Sequence, residues 1–206
     1  MARPVTSKRE LSLVLVLAGV FCAAAIGVVL MSFGGWEYYR TPLATRGYMP
    51  AHKFLRPSGI IGLPLGIAGA IAMLSTLPYA ARKRWRPLAR LGSTPKWLEV
   101  HIFFGIVGPV LVTLHTAFKF NGVVAVGYWL MMIVWSSGFV GRYLYVRIPK
   151  TIRGVETADV ERIRRLFHYW HVFHRPLVYG MLVIVGLHVG LAIYLGYAQL
   201  LTLAVR

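Results

Sequence analysis

The segments HIFFGIVGPVLVTLH (residues 101–115) and HRPLVYGMLVIVGLH (residues 174–188) decide the fold of this chain. Each is apolar between its ends, and each opens and closes on a histidine, so that His101 and His115, and likewise His174 and His188, stand 14 residues apart. In a helix 14 residues rise ~21 Å and turn to within ~40° of four complete turns. Both histidines of a segment therefore look out from one side of it. Ionisable groups at membrane depth are costly and are usually functional.

Outward from these two segments the chain has the composition of a membrane protein. Its 206 residues are 57% apolar and 14% charged, with a mean hydropathy of +0.63, and a soluble domain of this size carries far more charge. Five stretches are long and apolar enough to cross a bilayer, near 11–33, 58–80, 98–118, 122–146 and 168–200. The expected architecture is a single integral membrane domain over residues 1–206, an all-α bundle of five transmembrane helices. The second stretch is interrupted by Gly62, Pro64 and Gly66, and its run Gly66, Ala68, Gly69, Ala70 suits a close packing seam.

The net charge of +17 would suit nucleic acid if taken alone. The basic residues, however, lie in short runs between the apolar stretches, the pattern of a membrane protein, and no nucleic-acid partner is expected. Of the 23 Lys and Arg, 17 fall in the N-terminal tail, the 81–97 loop and the 142–175 stretch; only six fall in the 34–57 loop, at Lys119 and at Arg206. The richer side is expected to be cytoplasmic, which places the N-terminus inside and the C-terminus outside. The third and fifth segments then run parallel. The stretch 147–167 carries Glu156, Asp159 and Glu161, and its Asp159–Arg165 run reads as a short interfacial helix into the fifth segment, or as a solvated loop on anionic lipid. Trp36, Tyr38, Tyr39 and Tyr48 in the 34–57 loop read as an interfacial aromatic belt.

Two parallel helices with such histidines place His101 opposite His174 near the cytoplasmic face, and His115 opposite His188 near the other. An iron porphyrin held from above and below by two imidazoles needs such a pair. The expectation is two stacked b haems between the third and fifth helices, with all four histidines as iron ligands. The competing reading of any one histidine is a hydrogen-bonded structural residue, but four at two equal spacings are harder to dismiss. His168 and His171 precede His174. Counted from His188 they point ~160° and ~100° away, so His174 is the better ligand, and His171 is the alternative ligand or else a propionate or quinone contact. Pro109 and Pro176 interrupt the two helices and weaken the projection. Gly105, Gly108, Gly180 and Gly186 lie between the ligands, where they leave room for a porphyrin face or serve helix packing. Arg175 and Lys119 stand where they would neutralise haem propionates or snorkel to the interface.

One cysteine, Cys22, excludes a disulfide framework and any multi-cysteine metal site within the chain, and no Cys-x-x-Cys-His is present for covalent haem attachment. Phe21, large where a small residue is expected, argues against lipoprotein processing at Cys22, so the leading segment is expected to be retained.

Histidines 14 apart on two helices resemble the haem helices of the cytochrome b subunit of quinol-oxidising complexes. Their place on the third and fifth of a few helices is more similar to the ferric reductase-like transmembrane domain. The segments Phe118–Gly122, Gly141–Tyr145 and His174–Leu177 resemble bacterial membrane cytochromes of this kind. The resemblance covers residues 58–200. It implies transmembrane electron transfer by a subunit of a multi-subunit respiratory oxidoreductase in a bacterial inner membrane. That subunit would exchange electrons with quinone and with a c-type cytochrome or iron–sulfur partner. Flavin- and nicotinamide-binding domains are missing from the pattern, and no quinol-site signature is found. The rival readings are a self-sufficient reductase acting on ferric iron or oxygen, and a haem-free membrane anchor.

Overall fold

The computed structural model describes residues 16–22, 25–27, 29, 35–82, 85–90, 92–147 and 158–204. Every regular element among them is helical. Four stretches are long and apolar enough to cross a membrane: Gly62–Ala81, Thr94–His115, Val123–Tyr145 and Glu161–Gly196. The first apolar stretch, 11–33, lies only in part among the described residues, and its parts 16–22 and 25–27 are helical. We label the elements that make up these four stretches α1 (Gly62–Leu74), α2 (Leu77–Ala81), α3 (Thr94–His115), α4 (Val123–Arg147) and α5 (Ala158–Ala204). They fall into two compact units, Met1–Lys119 and Phe120–Arg206.

In the first unit α1 lies antiparallel along α3, because glycines at 62, 66 and 69 share one face of α1 and let a neighbouring helix come close. A Cβ on Gly69 would stand 2.8 Å from the Val112 side chain, and one on Gly108 would stand 2.9 Å from Met73 Sδ. The small-residue run expected to be a packing seam is one, and α3 is its partner. The seam ends where α1 breaks at Ser75 and Thr76 before resuming as α2. α3 itself starts after an extended Ser93, with Pro95 in the first turn, where its missing N–H leaves no bond unmade. It runs unbroken through Pro109.

The 34–57 connection is a folded cap. Short helices Trp36–Arg40, Leu43–Arg46 and His52–Leu55 bury Tyr38 and Leu55 against Ala117, just past the end of α3. Of the four aromatics read as a belt, Trp36 and Tyr48 are exposed, as a belt requires, but Tyr38 is 1% exposed and hydrogen-bonds His52 Nδ1. Burial raises the Tyr38 and Tyr39 phenols above their ordinary range. Arg46 is 5% exposed. Its guanidinium donates to the carbonyls of Tyr39, Thr41 and Ala117 and lies 4.9 Å over the Tyr38 ring. Ala117 and Phe118 take φ values of 50° and 58°, a left-handed pair that costs non-glycine residues ~1–2 kcal/mol each. Arg46 holds that turn through the Ala117 carbonyl. Arg46→Met leaves three carbonyls without this donor, at ~1–3 kcal/mol for each that stays buried. It is therefore expected to lower the thermal midpoint in detergent well below that of a Lys53→Met control, whose parent side chain is exposed.

In the second unit α4 and α5 are antiparallel neighbours. A Cβ on Gly127 would stand 2.9 Å from Ile184, and one on Gly141 would enter the Trp170 indole. α5 has 47 residues and continues through Pro176, so the proline neither starts nor ends it. At 1.5 Å per residue it is ~70 Å long, more than twice the ~30 Å of a hydrocarbon core. Its start absorbs the Asp159–Arg165 run, whose Arg162, Arg164 and Arg165 are exposed. The stretch 148–157 lies outside the described residues.

Candidate functional site

On α3 both histidines are half-buried and both reach across the seam to the backbone of the α1–α2 strip. His101 Nδ1 lies 3.0 Å from the Thr76 carbonyl oxygen, and His115 Nδ1 lies 2.8 Å from that of Gly62. A carbonyl only accepts, so in each ring Nδ1 carries the hydrogen and, in the neutral imidazole, Nε2 carries the lone pair. Thr76 and Gly62 are 14 residues apart, as are His101 and His115. Two antiparallel helices in register therefore serve both rings with one strip of backbone. Gly66 makes this possible at the second ring, since a Cβ there would stand 2.5 Å from His115 Nδ1 and 2.6 Å from Cε1.

On α5, His174 Nδ1 lies 2.6 Å from Ser137 Oγ of α4. The Ser137 hydroxyl gives its one hydrogen to the Val134 carbonyl at 2.8 Å, so towards His174 it is the acceptor, and Nδ1 again donates. The Trp170 indole stacks on the His174 ring with centroids 4.8 Å apart, and its Nε1 donates to the Ser137 carbonyl at 2.8 Å. Gly141 provides the space that the indole fills. His171 donates Nδ1 to the Phe167 carbonyl of its own helix at 3.0 Å and packs edge-on against Phe167 and Trp170. Its ring has the same tautomer as His174 but is held by its own turn. His188 is half-buried on α5, and His168 is exposed.

Comparison with protein-family models, with curated proteins and with solved structures finds no match. A histidine that binds a metal almost always gives its other ring N–H to a carbonyl, carboxylate or comparable acceptor, which fixes the tautomer and strengthens the ligand. His101, His115 and His174 have that arrangement, and the donor set fits haem iron. Among the described residues no group of three or more His, Cys, Asp or Glu is gathered, whereas a haem draws only two ligands from the protein.

The other predicted residues divide. Among the described residues a Cβ on Gly105 or Gly186 meets nothing within 4 Å, and one on Gly180 meets only Leu130 at 3.9 Å. Gly105 and Gly186 therefore face open space, and Gly180 is in ordinary van der Waals contact with α4. Gly108 instead lies against Met73, so packing accounts for it. Lys119 and Arg175 are exposed, as either propionate contacts or snorkelling cations would be. Sequence reasoning missed Thr76, Ser137 and Trp170, read Gly62 only as an interruption of the second stretch, and placed Gly141 only in a segment of family resemblance. Gly62 and Thr76 act through backbone carbonyls, which every residue has; Ser137 is one of two adjacent hydroxyls, Ser136 and Ser137, on an otherwise largely apolar α4, and that pair was the visible signal.

Proposed function

We propose that the chain is a membrane b-type cytochrome that carries single electrons between two haems, with His101 and His174 as ligands of an inner haem and His115 and His188 as ligands of an outer one. The observation that carries this reading is the shared state of three of those rings, each donating Nδ1–H to a fixed acceptor and so presenting Nε2 to iron. The pairing itself rests on the equal spacings and on the Lys and Arg distribution, which makes the third and fifth helices parallel across five spans. A bound haem supplies the one-electron couple. The chain supplies axial ligation, ring orientation and burial, which together tune the potential.

The chain would serve as the membrane subunit of a respiratory complex in a bacterial inner membrane. It would exchange electrons with quinone and with a c-type cytochrome or iron–sulfur partner. Isolated in mild detergent with its associated subunits, the protein is expected to be reduced by a quinol analogue and reoxidised through the partner. The chain purified alone should take up electrons without sustained turnover. Steady turnover by the single chain on ferric iron or oxygen would replace this reading with that of a self-sufficient reductase.

A further inference from the structure

We propose that Ser137 is a positioning residue that sets the donor strength of His174 and, through it, the potential of one haem. This rests on the reading of His174 as a ligand. The hydroxyl is oriented by its own bond to the Val134 carbonyl, so its lone pairs face the ring, and the 2.6 Å approach of Nδ1 is short for a neutral pair. The ring cannot turn away easily, because Trp170 stacks against it at an interplanar angle of 29° and is itself tied to the Ser137 carbonyl. His101 and His115 use backbone carbonyls for the same purpose. Ser137 is thus a ring partner that a side-chain substitution can remove.

Accepting the Nδ1 hydrogen shifts electron density onto the imidazole and makes Nε2 a stronger donor, which favours the ferric over the ferrous state. Removing the acceptor has the opposite effect. The test is an equilibrium redox titration of the whole purified protein, with low-spin electron paramagnetic resonance spectra of the same samples. Ser137→Ala is expected to raise the midpoint potential of one haem and move its g values, leaving the other haem as in the parent. Loosened retention of that haem, on the order of 10-fold, would accompany the shift. Ser137→Thr keeps the hydroxyl and is expected to restore both signals. Two haems with unchanged potentials and spectra in Ser137→Ala would overturn the proposal. So would loss of the same haem in both variants, which would mark a packing defect. His174→Ala with both haems retained would instead sink the ligand assignment on which the proposal stands.

Discussion

Alanine at His115 is expected to lower the haem content of the purified protein from two b haems per chain to one, and alanine at His188 is expected to remove the same haem. An axial imidazole cannot be replaced by a methyl group, and a haem held only by ligation and packing has no covalent thioether to keep it. The double variants carry more information. His115→Ala with His188→Ala should still leave one haem, because both changes strike one site. His115→Ala with His174→Ala should leave none. The converse holds for His101 and His174, whose joint loss should spare the outer haem. If the first double variant loses both haems, the pairing drawn from the charge distribution is wrong, even if all four histidines are ligands. His171→Ala serves as the control at the ambiguous end, and loss of a haem there, with His174→Ala neutral, would move the ligand by one turn.

Gly66→Ala should be nearly as damaging as loss of the ligand it touches, although it adds one methyl group to a helix that alanine otherwise favours. The added carbon would stand within 2.6 Å of two atoms of the His115 ring, closer than packed atoms come. Either the ring swings away or α1 shifts from α3, and both movements break the bond to the Gly62 carbonyl. Overpacking of this kind costs ~1–3 kcal/mol, and the lost hydrogen bond adds ~1 kcal/mol. The outer haem should therefore be lost or turn high-spin, while helical circular dichroism stays as in the parent. Gly47→Ala, where a Cβ meets nothing within 4 Å among the described residues, provides the matched control. Two unaltered low-spin haems in Gly66→Ala would show that the contact does not matter to the ligand.

Much of this architecture is legible in the sequence because membrane helices announce themselves by apolar length. The expected 98–118 and 122–146 correspond to Thr94–His115 and Val123–Arg147. The charged first turns of the fifth helix read as a short interfacial helix or a solvated loop, so its expected start at 168 falls ten residues late. A helix needs only backbone bonds to propagate, and Glu161 four residues before Arg165 is a favourable order on its surface. The 34–57 cap was illegible for another reason: helices of four or five residues leave no periodicity, and a buried Arg46 looks like any loop cation until its carbonyl partners are brought around it. At the site, spacing alone selected the four histidines. The acceptors that hold three of those rings were hidden because two are backbone oxygens and the third is one of two adjacent serines on a helix to which no ligand was assigned.

The most direct measurement is the pyridine haemochrome of the chain purified from membranes, scaled to protein by amino-acid analysis. Two b-type haems per chain, both low-spin in the oxidised state, are expected from four histidines working in pairs. A preparation that is well folded by circular dichroism and contains no haem would contradict the cytochrome reading and leave a haem-free membrane anchor in its place.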